Sequence, residues 1–421
     1  MNKNDSELMR LSLCAEGYVP SEKIDEADIA IYNTCSVREH AEDRVRARIA
    51  SDQKHIRGQG GIIVVAGCMA QRAGDELIKD KTADMLIGPY QSPAIGKKLN
   101  EYFSDKTARL FLSQSAEDFE SRLNGYPEGW HSWLTITHGC GNFCAYCIVP
   151  YVRGRLMSFN SSDIIERAKN LAAEGTLEIT LLGQNVNQFG QDTGDIPFYS
   201  LLEKIAAIPG IARLNFLTSH PKDFSEDIIR VIADNPNISR SVHLPLQSGS
   251  DKILALMNRA YTISHYRTLV DTFGKHLGEY SVTTDLIVGF PEESDDDYRA
   301  TLSAVREIRF DEAFTYVYSP RSGTSAAAMK ETCDTREKTE RLNELIAVQR
   351  KISKDKLLAR LNRVEEIIPE RISRRGRDEL MGRTSLNHPV VISGSQHDIG
   401  KPLKIRIDAV SGSTLRGIQI A

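Results

Sequence analysis

From residue 131 onward the chain alternates six times between a short apolar run and an amphipathic stretch of helical period. The runs are SWLTIT, LEITLLG, RLNFLTS, SVHLPLQ, VTTDLIVGF and EAFTYVYS, separated by stretches such as SSDIIERAKNLAAEG, LLEKIAAIPG and DDDYRATLSAVREIR. Such runs suit strands buried on both faces, with each helix carrying the chain back to begin the next parallel strand. Six units are two short of a closed eight-stranded barrel. The expectation is therefore an α/β core built as an open, partial (β/α)6 barrel. Its reactive face should lie at the carboxyl ends of the strands, where the polar segments GQNVN, TSHP, LQSGS and GFPEE fall.

Two further units flank this core. Residues 1–105 read as a small α/β domain. The strand ADIAIYN (27–33) runs into Thr34 and Cys35, and GIIVVAG (61–67) runs into Cys68, each followed by a helical pattern. Cys35 and Cys68 thus end neighbouring strands, where open sheets form their binding crevices. Residues 106–130 are polar and irregular and read as a linker. After the barrel, the charged helix REKTERLNELIAVQRKISKDKLLARLN closes the unit 131–357. Residues 358–421 then change to short alternating pieces, EEIIPERI, HPVVISG and PLKIRIDAV, as expected of a small all-β barrel.

Composition narrows the setting. Neither an apolar run of membrane-spanning length nor the apolar core of a signal peptide occurs, MNKNDSELMR being polar, so the expected location is cytoplasmic with no membrane partner. In that reducing compartment 7 cysteines point to metal ligation or catalysis rather than disulfides. The net charge is -4, yet residues 358–421 hold 11 Lys and Arg against 7 Asp and Glu. A basic tail on an acidic body suits a polyanionic partner.

The segment THGCGNFCAYCIVPYVRGR (137–155) carries Cys140, Cys144 and Cys147 in C-x3-C-x2-C spacing. A closed structural zinc site needs four ligands, and His138 is the only nearby candidate for a fourth. Three thiolates on an iron–sulfur cube leave one iron open instead. This spacing after the first barrel strand, with Tyr146 before the third cysteine, resembles the signature of the radical S-adenosylmethionine enzymes. The resemblance implies that the methionyl amino and carboxylate groups chelate the open iron, and that electron transfer then releases a 5′-deoxyadenosyl radical. It also implies cofactor-binding roles for Tyr146, for Gly183, Gln184 and Asn185, for Ser219, and for Gln247 and Ser248.

NTCSVREHAEDRV and VVAGCMAQR resemble the first domain of the methylthiotransferases, in which three cysteines hold a second 4Fe-4S cluster. By that resemblance Cys35 and Cys68 are two of its ligands. The family's remaining cysteine stands in a segment like G-C-Q-M-N-x-x-D-S-E, whereas this chain begins MNKNDSE. The domain is therefore expected to lack its first strand and that cysteine. Cys14 and Cys333 have no partner at ligand spacing and read as packing residues.

CAYCIVPYVRGR, LLGQNVN, FLTSHPKDF and LPLQSGSDKILALMNR resemble the MiaB type, the group acting on isopentenylated adenosine in tRNA. Alternatives are threonylcarbamoylated adenosine in tRNA, a ribosomal-protein aspartate, and a non-catalytic iron–sulfur RNA-binding protein. GRTSLNHPVVI resembles the family's RNA-binding TRAM domain, whose RISRRGR stretch places Arg371, Arg374, Arg375 and Arg377 to neutralise phosphates. The expected cofactors are S-adenosylmethionine and two 4Fe-4S clusters, and the expected partners are tRNA and a reducing electron-donor protein. The chain is read as a monomer, the sulfur source stays open, and no catalytic side chain is named beyond the ligands. The sequence departs from the family pattern at Leu156, Phe159 and Asn160 after RGR. It also departs at Asn215, where Arg is common, at Ala260, where Gly or a basic residue is usual, and at Glu292, where the family has Gly.

Overall fold

Three packed units emerge in a computed structural model that describes residues 2–36, 39–107, 109–112, 127–373, 376 and 378–420. The first is a parallel sheet of β1 (Ile29–Thr34), β2 (Ile62–Gly67), β3 (Met85–Ile87) and β4 (Leu110–Phe111), in that order. Helix Glu39–Gly58 buries Ile49 and Ile56 with Ile63 and Val65, while helices Asn2–Ala15 and Ile95–Ser104 bring Met9, Leu99 and Tyr102 to Val64 and Met85.

β4 lies inside the stretch 106–130 expected as a linker. Two apolar residues suffice because the edge of β3 supplies their partners: Gly88 N donates to Phe111 O at 2.8 Å. At the other end of that stretch β5 (Pro127–Glu128) pairs antiparallel with β6 (His131–Thr135). Residues 113–126 lie outside the described residues.

All six expected barrel strands form: β6, then, after the short hairpin of β7 (Thr137–His138) and β8 (Met157–Ser158), β9 (Glu178–Leu182), β10 (Arg213–Phe216), β11 (Ser241–His243), β12 (Ser281–Val288) and β13 (Glu312–Val317). They fall into the sheets β10-β9-β6-β5 and β11-β12-β13, joined by a parallel bridge between Leu214 and Ile238. The barrel is therefore open. Leu134, Ile179, Leu214 and Leu286 from the strands meet Ile164, Leu201, Ile229 and Tyr266 from the helices, and each is fully buried. Side-chain caps start the helices: Asn160, Ser225, Ser250 and Thr262 each accept an amide, and Ser294 forms a capping box with Asp297. The exit helix Thr335–Leu358 is clamped by Arg341, whose Nη1 donates to buried Glu293 Oε2 at 2.7 Å.

The tail is a closed barrel of β14 (Val364–Ile372), β15 (Glu379–Thr384), β16 (Pro389–Ser393), β18 (Thr414–Gln419) and β17 (Leu403–Ser411), around Ile367, Leu380, Ile392, Ile405 and Leu415. It docks at the amino ends of the large barrel's strands. Arg213 Nη1 donates to Arg383 O at 3.4 Å, Ser239 Oγ to Ser385 O at 3.2 Å, and His388 Nε2 lies 3.3 Å from Asp311 Oδ1. Cys333 is buried as expected, but Cys14 is exposed: the apolar face of its helix is formed by Met9 and Leu13, which pack with Val64, Met85 and Leu99. No helix of the described residues is long and apolar enough to cross a membrane.

Candidate metal and cofactor site

The chain leaves β6 through β7 and enters the three-cysteine loop at Gly139, where φ is +69° and a Cβ would lie 2.0 Å from Arg155 O. Only glycine fits there. The loop is then pinned on both sides. Cys140 N donates to Gly154 O at 3.2 Å and Ala145 N to Met257 O at 2.9 Å, while Asn258 Nδ2 donates to Phe143 O at 2.9 Å. Tyr146 is half-buried and packs with the Ala145, Phe290 and Tyr318 cluster. Phe143 and Tyr151 stay exposed beside the loop, their rings edge to face at 6.3 Å.

Polar side chains from successive strand ends knit to this loop. Gly141 N donates to Gln188 Oε1 at 3.3 Å, Gln188 Nε2 to Asn142 Oδ1 at 3.0 Å, and Asn185 Nδ2 to Asp223 Oδ2 at 2.7 Å. Gly183 ends β9 against β7, and a Cβ there would lie 2.1 Å from Thr137 Oγ1. Gln184, beside it, is partly buried. Thr137 Oγ1, Asn185 Oδ1, Ser219 Oγ, His220 Nε2 and Gln247 Oε1 are buried yet have no hydrogen-bond partner among the described residues. Buried polar atoms are normally paired, so this group at the barrel mouth has the form of a cradle for a polar ligand. Ser248 differs from its neighbours: its Oγ lies 3.2 Å from Thr301 Oγ1 and accepts from Ser250 N, which makes it part of the turn's own bracing.

Electrostatics at the loop are set by burial. It pushes the Cys147 thiol up to about 12 and raises that of Cys140, so a metal taken up here displaces protons. The opposing charge comes from Arg259, buried at 4% exposure, whose Nη1 donates to Cys144 Sγ at 3.4 Å and Nη2 to Pro245 O at 2.8 Å. Burial, Arg259 and Lys222 lower the His220 pKa to about 2, which keeps that imidazole neutral. Among the described residues no three His, Cys, Asp or Glu side chains group as ligands of a single ion. A cube takes each thiolate on a separate iron and does not need that convergence, and three soft thiols beside a buried cation suit an iron–sulfur cluster.

The second cysteine pair adjoins the first set across the boundary between units. Thr34 and Gly67 are register partners, so Cys35 and Cys68 follow neighbouring strands at one level, Cys35 half-exposed and Cys68 buried beside Ile148 and Val152. Arg153, which follows the three-cysteine loop, donates from Nε to Cys68 Sγ at 3.3 Å and from Nη2 to Asp5 Oδ2 at 2.7 Å. Its carbonyl accepts from Tyr90 Oη at 2.9 Å, and the Tyr90 ring stands 4.9 Å from that of His138. Asn4 Nδ2 donates to Thr135 Oγ1 at 3.2 Å.

Of the tail arginines, Arg371 is exposed with Nη2 2.9 Å from Met381 Sδ, while Arg374, Arg375 and Arg377 lie outside the described residues. The departures from the family pattern have local uses. Asn160 caps helix Ser161–Ala173, Phe159 is buried at 3% exposure, and Asn215 Nδ2 donates to Glu178 Oε1 at 2.7 Å. Sequence reasoning missed Arg153, Arg259, Asp223 and His220. Arg153 and Arg259 touch cysteines 85 and 115 positions away, beyond any spacing rule.

Residues 134–305 match the radical SAM superfamily and residues 1–88 match the uncharacterized protein family UPF0004. The chain is 40% identical over 422 residues to the tRNA-2-methylthio-N(6)-dimethylallyladenosine synthase of Dictyoglomus thermophilum, covering 99% of this chain and 96% of that protein. It is 39% identical over 429 residues to the synthase of the same name from Carboxydothermus hydrogenoformans, covering 100% and 97%. Among solved structures, the radical S-adenosylmethionine methyltransferase TsrM of Kitasatospora setae, with cobalamin and a [4Fe-4S] cluster bound, superposes with a TM-score of 0.55. It has 14% identity over 77% of this chain and 73% of that one, a likeness of fold.

Proposed function

The chain belongs to the tRNA-2-methylthio-N(6)-dimethylallyladenosine synthase family of radical S-adenosylmethionine enzymes, and from that premise we propose how its own residues share the work. It is a methylthiotransferase that modifies tRNA at carbon 2 of an N6-isopentenylated adenosine, with S-adenosylmethionine and two 4Fe-4S clusters as cofactors.

In this reading Cys140, Cys144 and Cys147 hold one cluster and Cys35 and Cys68 contribute to the other. A cluster held by Cys140, Cys144 and Cys147 at the barrel mouth would, with S-adenosylmethionine, supply the radical chemistry that hydrogen abstraction from the adenine requires. The protein's part is to bind, orient and exclude water. Asn185, Ser219 and Gln247 offer unpaired polar atoms to S-adenosylmethionine, while Gly183 and Gln184 shape the strand end beside them. Exposed Phe143 and Tyr151 suit stacking by a base splayed from a single-stranded loop, here the adenosine beside the anticodon. Arg371, with Arg374, Arg375 and Arg377, grips phosphates and positions the tRNA. A donor protein supplies the electron, and the enzyme works as a monomer in the cytoplasm.

One observation carries this reading: the three-cysteine loop and the buried unpaired atoms Asn185 Oδ1, Ser219 Oγ and Gln247 Oε1 share the carboxyl end of one open barrel. Deleting the gene and measuring nucleosides by mass spectrometry tests it. The isopentenyladenosine of tRNA should lose its methylthio group. Retention of that group, with loss from a ribosomal protein, would overturn the substrate assignment.

A further inference from the structure

Strand residues of the large barrel alternate between the face covered by helices and the inner face. On β12 and β13, Val282, Leu286, Ala313 and Val317 pack toward the helices, which turns Thr283, Asp285 and Phe314 inward. His243 of β11 shares that inner wall. Its Nδ1 lies 2.9 Å from Thr283 Oγ1 and its Nε2 3.3 Å from Asp285 Oδ2, and its ring stands edge to face with Phe314 at 6.0 Å. A carboxylate only accepts, so Nε2 donates to Asp285 and Nδ1 of the neutral ring accepts from the Thr283 hydroxyl. In the other sheet Leu214 and Phe216 pack toward the helices, and Leu217, whose N donates to Leu181 O at 3.2 Å, follows Asn215 on the inner side. Phe314 is 41% exposed and Leu217 37%, although both lie inside a barrel. Apolar side chains left uncovered on a concave wall beside a reactive loop are surface kept for a ligand.

We propose that Phe314 and Leu217 receive the isopentenyl group of the target adenosine, and that Asp285 sets the same wall against a substituent carrying a carboxylate. These side chains then determine which N6 group the barrel admits, a conclusion that rests on the reading of the barrel as the site of adenosine modification. The chemistry of the two candidate groups separates them. An isopentenyl group adds only carbon and hydrogen to N6 and gains by covering Phe314 and Leu217. A threonylcarbamoyl group ends in a carboxylate, which would be desolvated beside the Asp285 carboxylate and needs a cation to offset that cost. The six strands supply a single arginine or lysine, Arg213. It is already engaged at the amino end of β10, 3.6 Å from Glu178 Oε2 and 3.4 Å from Arg383 O. Glu312 adds a further carboxyl to the inner side of β13, as register partner of Thr283. The wall therefore offers apolar surface and negative charge but no spare cation, a combination that accepts the first group and rejects the second.

Equilibrium binding tests this without turnover, using the full chain reconstituted under anaerobic conditions. The probes are anticodon stem-loop RNAs that differ only at the target adenosine, which is unmodified, isopentenylated or threonylcarbamoylated. The natural protein should bind the isopentenylated loop at least about tenfold more tightly than the unmodified one, the discrimination an apolar contact of this size supplies. F314A should lose most of that preference while its affinity for the unmodified loop stays close to that of the natural protein. F314L should restore the preference, and L217A should lose part of it. D285N should bind the threonylcarbamoylated loop several-fold more tightly than the natural protein does. A full preference retained in both F314A and L217A, or an equal loss on every loop in both, overturns the proposal and leaves the substrate assignment standing. A natural protein that does not prefer the isopentenylated loop refutes the substrate assignment itself, and the proposal falls with it.

Discussion

At the scale of single residues, two departures from the family pattern carry a backbone cost. Ala260 has φ of +50° and Glu292 of +66°, both in the left-handed region that glycine enters freely and other residues enter at a cost of about 1–2 kcal/mol. Both side chains are exposed, so little packing compensates. Glu292→Gly should therefore stabilise the protein by about 0.5–1 kcal/mol after the added flexibility of the unfolded chain is subtracted. A higher urea midpoint at unchanged slope would show it, and a lower midpoint would contradict it. Both departures were legible from the family pattern, which has glycine at 292 and glycine or a basic residue at 260. Arg153 and Arg259 were not, because a side chain's partner across 85 or 115 positions is decided by tertiary packing alone.

At the scale of elements, the decisive fit is the carboxyl end of β9 against β7. With Gly183 replaced by alanine, the new Cβ would meet Thr137 Oγ1 at 2.1 Å, and one of the two strand ends must move. Gly183→Ala should weaken S-adenosylmethionine binding at least tenfold, and adding Thr137→Ala should restore part of it by removing the obstructing oxygen. Equilibrium binding on the reconstituted protein measures both, and no recovery in the double variant would contradict the steric account. The six barrel strands were readable because each is an apolar run long enough to fill a buried strand. The strand pairs β4 with β3 and β7 with β8 were not. They involve two residues each, and their hydrogen bonds come from partners that only the fold supplies. The cysteines were legible as a set because their spacing is local, whereas the cradle of unpaired polar atoms is assembled from loops after different strands.

At the scale of the whole molecule, the tail barrel meets the large barrel through a polar cluster in which Glu178 and Arg213 are buried, Asn215 and Glu370 half-buried and Arg383 exposed. Burial, outweighing Arg213, raises Glu178 to about 7, above the usual carboxylate range. A carboxyl raised in the folded state favours folding while protonated, so its contribution is full below about pH 4.5 and is lost as pH rises to 7. Glu178→Gln should thus gain on the natural protein by on the order of 2 kcal/mol between pH 5 and pH 8. Unfolding midpoints at both values check this, and an equal difference at the two would contradict it. On the outer face of the tail, Arg371→Ala should weaken tRNA binding uniformly across tRNAs and reduce the slope of log affinity against log salt by about 1. An unchanged slope would remove Arg371 from the interface.

All of this turns on whether the barrel mouth presents a cluster with a corner open to S-adenosylmethionine. The most direct measurement is electron paramagnetic resonance of the reduced, oxygen-free protein carrying Cys35→Ser and Cys68→Ser, recorded before and after S-adenosylmethionine is added. The account predicts an iron–sulfur signal that changes line shape on addition and disappears with Cys144→Ala. A signal indifferent to S-adenosylmethionine, or zinc held in place of iron, would contradict it.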